Sequence, residues 1–232
     1  MDETLFHLIN ERWTNPALDL FMAALSNPEI WRPVFIGVII FMLVFGSFKA
    51  RACVLCVLIT LSVAEPITNA LKEAVHRHRP KQVESVRLVE LHRARPAFMT
   101  LFNKPTVRFS DASDRNRSGP SFPSGHVDNN VVIALCLTLF YRRGWIYWIV
   151  ATLVGYSRVY LGAHWPSDIV ATFFLALGET LLVLATLQVA WQRAVRRWAP
   201  QLYARHPSLI ANVVPASSLP RITPQGGGLA LL

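Results

Sequence analysis

The sequence predicts an all-α protein: a polytopic membrane helix bundle of five transmembrane helices, with interfacial helices before it and a cap loop outside the membrane. The first observation is composition, since 53% of the 232 residues are hydrophobic, the mean hydropathy is +0.35 and only 16% are charged. The second is a set of apolar runs close to the roughly 17 to 25 residues that a helix needs to cross a bilayer. The third is that the basic residues behind the net charge of +9 lie mainly between or just after these runs, with no nucleic-acid-binding motif beside them.

The N-terminal segment is predicted to lie on the membrane surface. Residues 5–25 are partly apolar, but charged residues and a proline break up the run, so one or two interfacial helices are expected and a sixth span is the alternative. The interruptions are Glu11, Arg12, Pro16 and Asp19.

Five longer apolar runs are the predicted transmembrane helices. They cover residues 33–48, 52–71, 124–141, 144–161 and 168–192. Cys53, Cys56 and Cys136 lie inside these runs, where buried packing is expected rather than a redox or metal-binding role.

The distribution of basic residues predicts the orientation. If the five helices alternate, the basic residues within 49–51, 142–143 and 193–197 share one side, which should be cytoplasmic. The protein is then integral to the cell (inner) membrane, with its C-terminus in the cytoplasm. The long stretch 72–122 falls on the extracytoplasmic, or periplasmic, side although it is also basic, so its charge needs another explanation.

Two segments lie outside the predicted helices. Residues 81–121 are longer than a bare connection requires and are expected to form an extracytoplasmic cap loop within a membrane domain of residues 1–198. Residues 199–232 are rich in Pro, Ser and Gly without apolar periodicity, which predicts a flexible C-terminal tail.

Three motifs lie at helix ends on the predicted outer side. K-x6-R-P follows the second apolar run, P-S-G-H begins the third, and S-R-x5-H-x3-D joins the fourth to the fifth. Their defining residues are Lys72, Arg79, Pro80, Pro123, Ser124, Gly125, His126, Ser157, Arg158, His164 and Asp168.

The residue types in these motifs are those that bind phosphate. A helix N-terminus presents unpaired N–H groups and a positive dipole end to an oxyanion, and Gly125 lets the backbone approach a ligand closely. Ser124 supplies a hydroxyl. The guanidinium groups of Arg79 and Arg158 each match two phosphate oxygens, and Lys72 adds a point charge. These five residues are the predicted phosphate cradle.

Two histidines beside a phosphate can have complementary catalytic roles. One ring nitrogen can attack phosphorus while the other histidine protonates the departing oxygen, and Asp168 can accept a hydrogen bond from the second nitrogen of the nucleophile. Asp168 follows His164 by four residues, which makes them neighbours if the stretch is helical. Pro166 argues against full helicity there.

The three motifs, in this order and spacing, resemble the signature of the type 2 phosphatidic acid phosphatase superfamily, which includes vanadium haloperoxidases and glucose-6-phosphatase. The resemblance implies that Lys72, Arg79 and Arg158 bind the phosphate with Ser124 and the Gly125 amide. It further implies that His126 is the general acid, His164 the nucleophile that forms a phosphohistidine, and Asp168 its orienting partner. No metal or other cofactor is expected.

A lipid phosphate is the expected substrate, since the motifs lie at the membrane boundary. The candidates are undecaprenyl diphosphate, phosphatidic acid, phosphatidylglycerol phosphate and lipid A, and the basic cap favours a diphosphate. A vanadate-dependent haloperoxidase and a non-catalytic lipid-phosphate binder or transporter are the alternatives; nucleic acid is not an expected partner. The basic residues of the cap are Arg87, Arg93, Arg95, Lys104, Arg108, Arg115 and Arg117.

Ionisable residues near the motifs have less certain roles. Glu65 shares a helix face with Asn69 and Lys72 and is expected to point into the bundle. Glu179 in the fifth run is a similar case. His76 and His78 are expected to be solvated loop residues.

Overall fold

The computed structural model describes residues 1–92, 94–116 and 119–210. A π-helical turn covers Leu8–Arg12, and 3₁₀ turns cover Ala97–Phe102 and Gly144–Ile146. The strands are β1 (Arg87–Glu90) and β2 (Thr106–Phe109). The α-helices are α1 (Asp2–His7), α2 (Pro16–Leu25), α3 (Pro28–Phe45), α4 (Phe48–Val75), α5 (Pro80–Val83), α6 (Ala112–Asn116), α7 (Gly125–Phe140), α8 (Tyr147–Tyr160), α9 (Pro166–Trp198) and α10 (Pro200–Arg205).

Each of the five predicted apolar runs falls on a helix. Helices α3, α4 and α9 are long and apolar enough to cross a membrane, whereas α7 and α8 have 16 and 14 residues. Helix α3 begins earlier than predicted because the side chain of Asn27 accepts a hydrogen bond from the Glu29 amide and Pro28 fits the first helical position. The mainly helical fold is confirmed, and the count of five spans stays a prediction.

Helix α7 lies at the centre of the bundle and packs against α4, α8 and α9. Toward its C-terminal end, Cys136 and Phe140 are fully buried together with Cys53 and Cys56 of α4. The three cysteines are free and buried, which confirms the expectation of packing. Helix α7 therefore has neighbours on several sides. Its N-terminus lies beside the C-terminal end of α4 and the N-terminal part of α9.

The N-terminal helices and the cap pack together over the end of α8. Phe6, Met22, Val86 and Trp165 belong to one buried apolar cluster, which draws residues from α1, α2, the cap and the turn before α9. In the cap, β1 and β2 form an antiparallel hairpin in which Leu88 is opposite Arg108. Residues 86–91 of this segment thus pack against the N-terminal helices and the end of α8. Its function as a cap stays a prediction, and Arg93 and Arg117 lie outside the described residues.

A buried polar group fastens the N-terminal helices to the cap. Asp19 of α2 is 4% exposed and accepts hydrogen bonds from Arg87 at 2.6 and 2.8 Å and from the Tyr160 hydroxyl at 2.7 Å. Asn10 donates to the carbonyl oxygens of Arg87 and Tyr160. Since buried charges are stable only when paired and hydrogen-bonded, these contacts fix α2, β1 and α8 relative to one another.

The segment after α9 differs from the prediction of a flexible tail from residue 199. Helix α10 follows at once, and the chain then folds back so that the Gln188 side chain accepts hydrogen bonds from the amides of Leu209 and Ile210. The His206 ring stacks on Phe48 with centroids 4.0 Å apart. These contacts order residues 199–210, and the remainder of the predicted tail, 211–232, lies outside the described residues.

Glu65 does not occupy the position expected for it. The residue is exposed, whereas Ala64 and Thr68 are the buried members of this part of α4. The inward face of the helix is therefore rotated by about one residue from the predicted one, which still leaves Lys72 half-buried.

Candidate active site

The end of α4 carries the first motif toward the cap. His76 adopts a left-handed conformation with φ 48° at the helix C-cap, where the helix stops and an extended segment begins. Arg79 follows, and its guanidinium donates to the carbonyl oxygens of Gly119 and Pro120 at 2.9 and 3.3 Å. Lys72 lies in the last turn of α4, so both cations reach the same end of the bundle.

The N-terminus of α7 carries the second motif. Ser124 is the N-cap, and its backbone amide donates to the Thr172 hydroxyl of α9 at 3.0 Å. The Ser124 side chain is fully buried, and its oxygen has no hydrogen-bond partner among the described residues. A Cβ at Gly125 would meet no atom within 4 Å, so the first helical turn borders open space. An oxyanion can approach the helix N-terminus there.

The connection from α8 to α9 carries the third motif. Arg158 lies in the last turn of α8 and donates to the Ser26 hydroxyl at 2.5 Å. The backbone amides of Ala163 and His164 return to the Arg158 carbonyl at 3.0 and 3.2 Å, closing a turn in which Gly162 has φ +70°. This turn brings His164, which is 3% exposed, beneath the cap.

The two histidines and the three cations converge. Arg158, Arg79 and Lys72 all lie close enough to the His126 ring to act on its charge, and the ring hydrogen-bonds the Ser26 backbone. Burial, and then the positive charges of Arg158 and Arg79, lower the pKa of His164 well below its usual value of 6.5. The His164 ring is therefore neutral at pH 7, the form in which a ring nitrogen has a lone pair for attack.

Asp168 is held by other groups than the one expected. The fully buried carboxylate accepts from Arg77 Nη1 at 2.6 Å, the Ser121 hydroxyl at 2.5 Å and the Trp165 amide at 3.0 Å. His164 Nδ1 lies 3.9 Å from Asp168 Oδ2, beyond hydrogen-bond distance. The physical reason is that Pro166 starts α9, so His164 lies in the preceding turn rather than one helical turn before Asp168.

Several residues that contact the site were not predicted from the sequence, among them Arg77, Ser121 and Ser26. The position of Arg77 could have been predicted from the sequence, because in an extended segment the side chains of residues 77 and 79 point to the same side. The positions of Ser121 and Ser26 could not, since each reaches the site through tertiary packing. His76 and His78 are exposed as expected.

Three polar atoms of the site are buried without a hydrogen-bond partner among the described residues: Ser124 Oγ, Arg158 Nε and His164 Nδ1. Buried polar groups are normally paired, so a polar ligand bound here would supply the partners that these three atoms lack. The described part of the chain holds no group of three or more His, Cys, Asp or Glu residues arranged for a metal ion.

A cavity of about 470 Å³ adjoins the histidine and arginine side chains of the site. His126 and Arg158 line one wall, and the junction of α2 and α3 with strand β1 lines the other. The described lining residues are Ala23, Ser26, Asn27, Pro28, Glu29, Val89, Glu90, Leu91, His126, Arg158 and Leu161.

The chain is similar to phosphatases of one superfamily. The sequence profile of the PAP2 superfamily matches residues 49–194. The lipid A 4'-phosphatase of Bacteroides thetaiotaomicron is 27% identical over 162 residues, which cover 68% of this chain and 64% of that protein. An undecaprenyl-diphosphatase of Sulfolobus acidocaldarius is 45% identical over 58 residues, covering 24% of this chain and 28% of the relative. The chain thus spans less than two thirds of the length of either relative.

The fold also resembles a solved structure. The first transmembrane PAP2-type phosphatidylglycerolphosphate phosphatase from Bacillus subtilis superposes with a TM-score of 0.53 at 21% identity, covering 84% of this chain and 88% of that one. In the described residues, three helices are long and apolar enough to cross a membrane, which indicates an integral membrane protein. The superfamily profile covers more than half of the chain and contains all three motifs, and the chain therefore belongs to the PAP2 superfamily.

Proposed function

We propose that the protein is a membrane-embedded lipid phosphatase that works through a phosphohistidine. The observation that carries the proposal is the buried His164 beside His126, with Lys72, Arg79 and Arg158 around them. A neutral imidazole supplies the nucleophile, and fixed cations stabilise the charge of a phosphoryl group in transfer. The relatives, by their names, act on different lipid phosphates, and a lipid-linked phosphate is what those substrates share.

In the first step, a ring nitrogen of His164 attacks phosphorus and the bond from phosphorus to the lipid oxygen breaks. Protonated His126 gives its proton to that oxygen, so the lipid leaves as an alcohol, or as a lipid monophosphate when the substrate is a diphosphate. In the second step, water attacks the phosphohistidine and gives a proton back to His126. The phosphorus–nitrogen bond breaks, inorganic phosphate leaves, and both histidines return to their initial states.

The part of the lipid headgroup next to the phosphate is proposed to bind in the cavity beside His126. In that position the leaving oxygen would lie next to His126, the proposed general acid, and the phosphate would point toward the cradle. The cap favours a diphosphate less than its composition implied, because Arg87 is paired with Asp19, and Arg108 with Asp114 and Glu90. Undecaprenyl diphosphate, lipid A, phosphatidylglycerol phosphate and phosphatidic acid are all candidates.

The proposed orientation places the cap and the active site outside the cell membrane and residues 193–197 in the cytoplasm, with five spans. A reporter fused after Arg143 should then be cytoplasmic, and one inserted near Thr106 should be extracytoplasmic. Reporters on the same side would refute the five-span topology.

Phosphate release by the purified protein tests the activity. With the four candidate lipids and no added metal, the wild type should release phosphate from at least one and His164→Ala from none. Acid-labile phosphoenzyme should be trapped on the wild type only. Tight lipid binding without phosphate release would indicate a binder or transporter, and peroxide-dependent bromide oxidation in the presence of vanadate would indicate a haloperoxidase.

A further inference from the structure

Arg77 connects the candidate nucleophile region to the N-terminal helix. Its Nη1 donates to Asp168 Oδ1 at 2.6 Å and to the Ser167 hydroxyl at 2.8 Å, and its Nη2 donates to Asp2 at 2.7 Å. Asp2 also accepts from the Ser167 amide at 2.9 Å and from its hydroxyl at 2.5 Å. One guanidinium group is thus fixed between two carboxylates, and the outer carboxylate is itself fastened to α9.

This arrangement determines which oxygen of Asp168 faces His164. Arg77 occupies Oδ1, while Oδ2 accepts from Ser121 and Trp165 and is the oxygen 3.9 Å from His164 Nδ1. A planar guanidinium donates in fixed directions, so it restrains the rotation of the carboxylate as well as compensating its charge. Asp168 is fully buried, where an uncompensated charge would be costly.

We propose that Arg77 is a positioning residue for the phosphohistidine reaction and that Asp2 supports it. Arg77 holds the Asp168 carboxylate so that Oδ2 is directed at the His164 ring, and a small approach of the two brings Nδ1–H and Oδ2 into hydrogen-bond distance when the phosphate is bound. Arg77 acts through Asp168 and does not belong to the phosphate cradle. The inference rests on the proposed function, because it assigns Arg77 a role in that reaction.

The kinetic test separates positioning from phosphate binding. Arg77→Ala should lower kcat by about 100-fold, the size of effect that a misplaced reacting group produces, with KM and inhibition by vanadate unchanged. Arg77→Lys keeps the charge but not the planar fork and should recover only part of kcat. Added guanidinium should raise the kcat of Arg77→Ala, since the Arg77 side chain is 36% exposed and the space that it leaves is open to solvent. Arg142→Ala, at an exposed position outside the motifs and the cap, should retain wild-type kcat.

Other outcomes overturn the inference. A raised KM and weakened vanadate inhibition in Arg77→Ala would place Arg77 among the phosphate ligands. An unchanged kcat per folded molecule, with only a lower thermal unfolding temperature, would make its role purely structural. Asp2→Asn gives a second measure, since it should lower kcat less than Arg77→Ala and in the same direction; a kcat equal to that of the wild type would remove Asp2 from the proposal.

A double-mutant cycle tests the contact independently of catalysis. Thermal unfolding of the wild type, Arg77→Ala, Asp168→Asn and the double variant should show non-additive losses, because the two residues interact directly. Additive losses would overturn the inference even with an active enzyme. A wild type that releases no phosphate would refute the proposed function instead, and the cycle would still decide whether Arg77 holds Asp168.

Discussion

Arg158→Lys is the change that most directly tests the phosphate cradle. The Arg158 guanidinium donates to the Ser26 hydroxyl through Nη1, while its Nε is buried without a partner among the described residues. A lysine has three N–H donors, but all of them are on one nitrogen, so it does not reproduce the planar fork in which Nη1 contacts the serine while Nε and Nη2 face other directions. At about 1.5–3 kcal/mol for a hydrogen bond to a charged group, and about 1.4 kcal/mol per factor of ten, kcat/KM should fall roughly 10- to 150-fold.

The assay for this change is the initial rate of phosphate release from a lipid phosphate in detergent micelles. Arg95→Lys is the matched control, because it makes the same substitution at an exposed position of the cap and should leave kcat/KM nearly unchanged. Vanadate imitates the five-coordinate phosphorus of the transition state, so it should inhibit the wild type more strongly than Arg158→Lys. Equal, mild losses in the two variants would show that Arg158 only anchors the helix end.

Three further predictions concern the histidines and the cap. His126→Ala should lose roughly 10²- to 10⁴-fold on a lipid alkyl phosphate and recover much of its relative rate on p-nitrophenyl phosphate, whose leaving group needs no proton, while His164→Ala should not recover; equal losses of His126→Ala on both substrates would refute its role as the acid. In an NMR titration, His164 should stay neutral at pH 6.5, whereas His7, whose pKa is raised by Glu11 and Glu84, should be mostly protonated. Because the unfolded chain binds this proton near pH 6.5 and folded His164 does not, stability should fall as the pH drops below that value, and a His164 signal that titrates with His7 would contradict both statements. Asp19→Ala breaks a buried ion pair and should cost about 3–5 kcal/mol in the free energy of unfolding, against about 0–1 kcal/mol for the exposed pair lost in Glu90→Ala, and similar costs would show that Asp19 is not structurally important.

The sequence was sufficient to place the main site residues because they lie at the ends of apolar helices. Once the apolar runs were located, the alternation of the helices put Lys72, His126 and Arg158 at the same end of the bundle. The spacing within the motifs then predicted which neighbouring residues accompany them. The cysteines were equally predictable, since a small apolar side chain inside an apolar run has few alternatives to packing.

Contacts between distant segments were not predictable in this way. Tyr160 and Asp19 are joined by a hydrogen bond although they are 141 residues apart, and nothing local to either residue indicates the pairing. Ser26 reaches the site for the same reason. Asp168 does not hydrogen-bond His164 because α9 starts only at Pro166, a backbone detail that the motif spacing does not reveal. The inward face of α4 is rotated by about one residue from the predicted face, and a helix that is apolar on most sides gives no pattern from which so small a rotation can be predicted.

Ser26 and Asp2 lie before residue 49, where the match to the superfamily begins. Ser26 nevertheless hydrogen-bonds Arg158, and the junction of α2 and α3 forms a wall of the cavity beside His126. The part of the chain that matches the superfamily thus contains the three motifs, whereas the N-terminal helices form part of the cavity wall beside them. Substitutions where α2 joins α3 would therefore change the shape of this cavity, and with it the range of ligands that fit, without altering a residue of the three motifs.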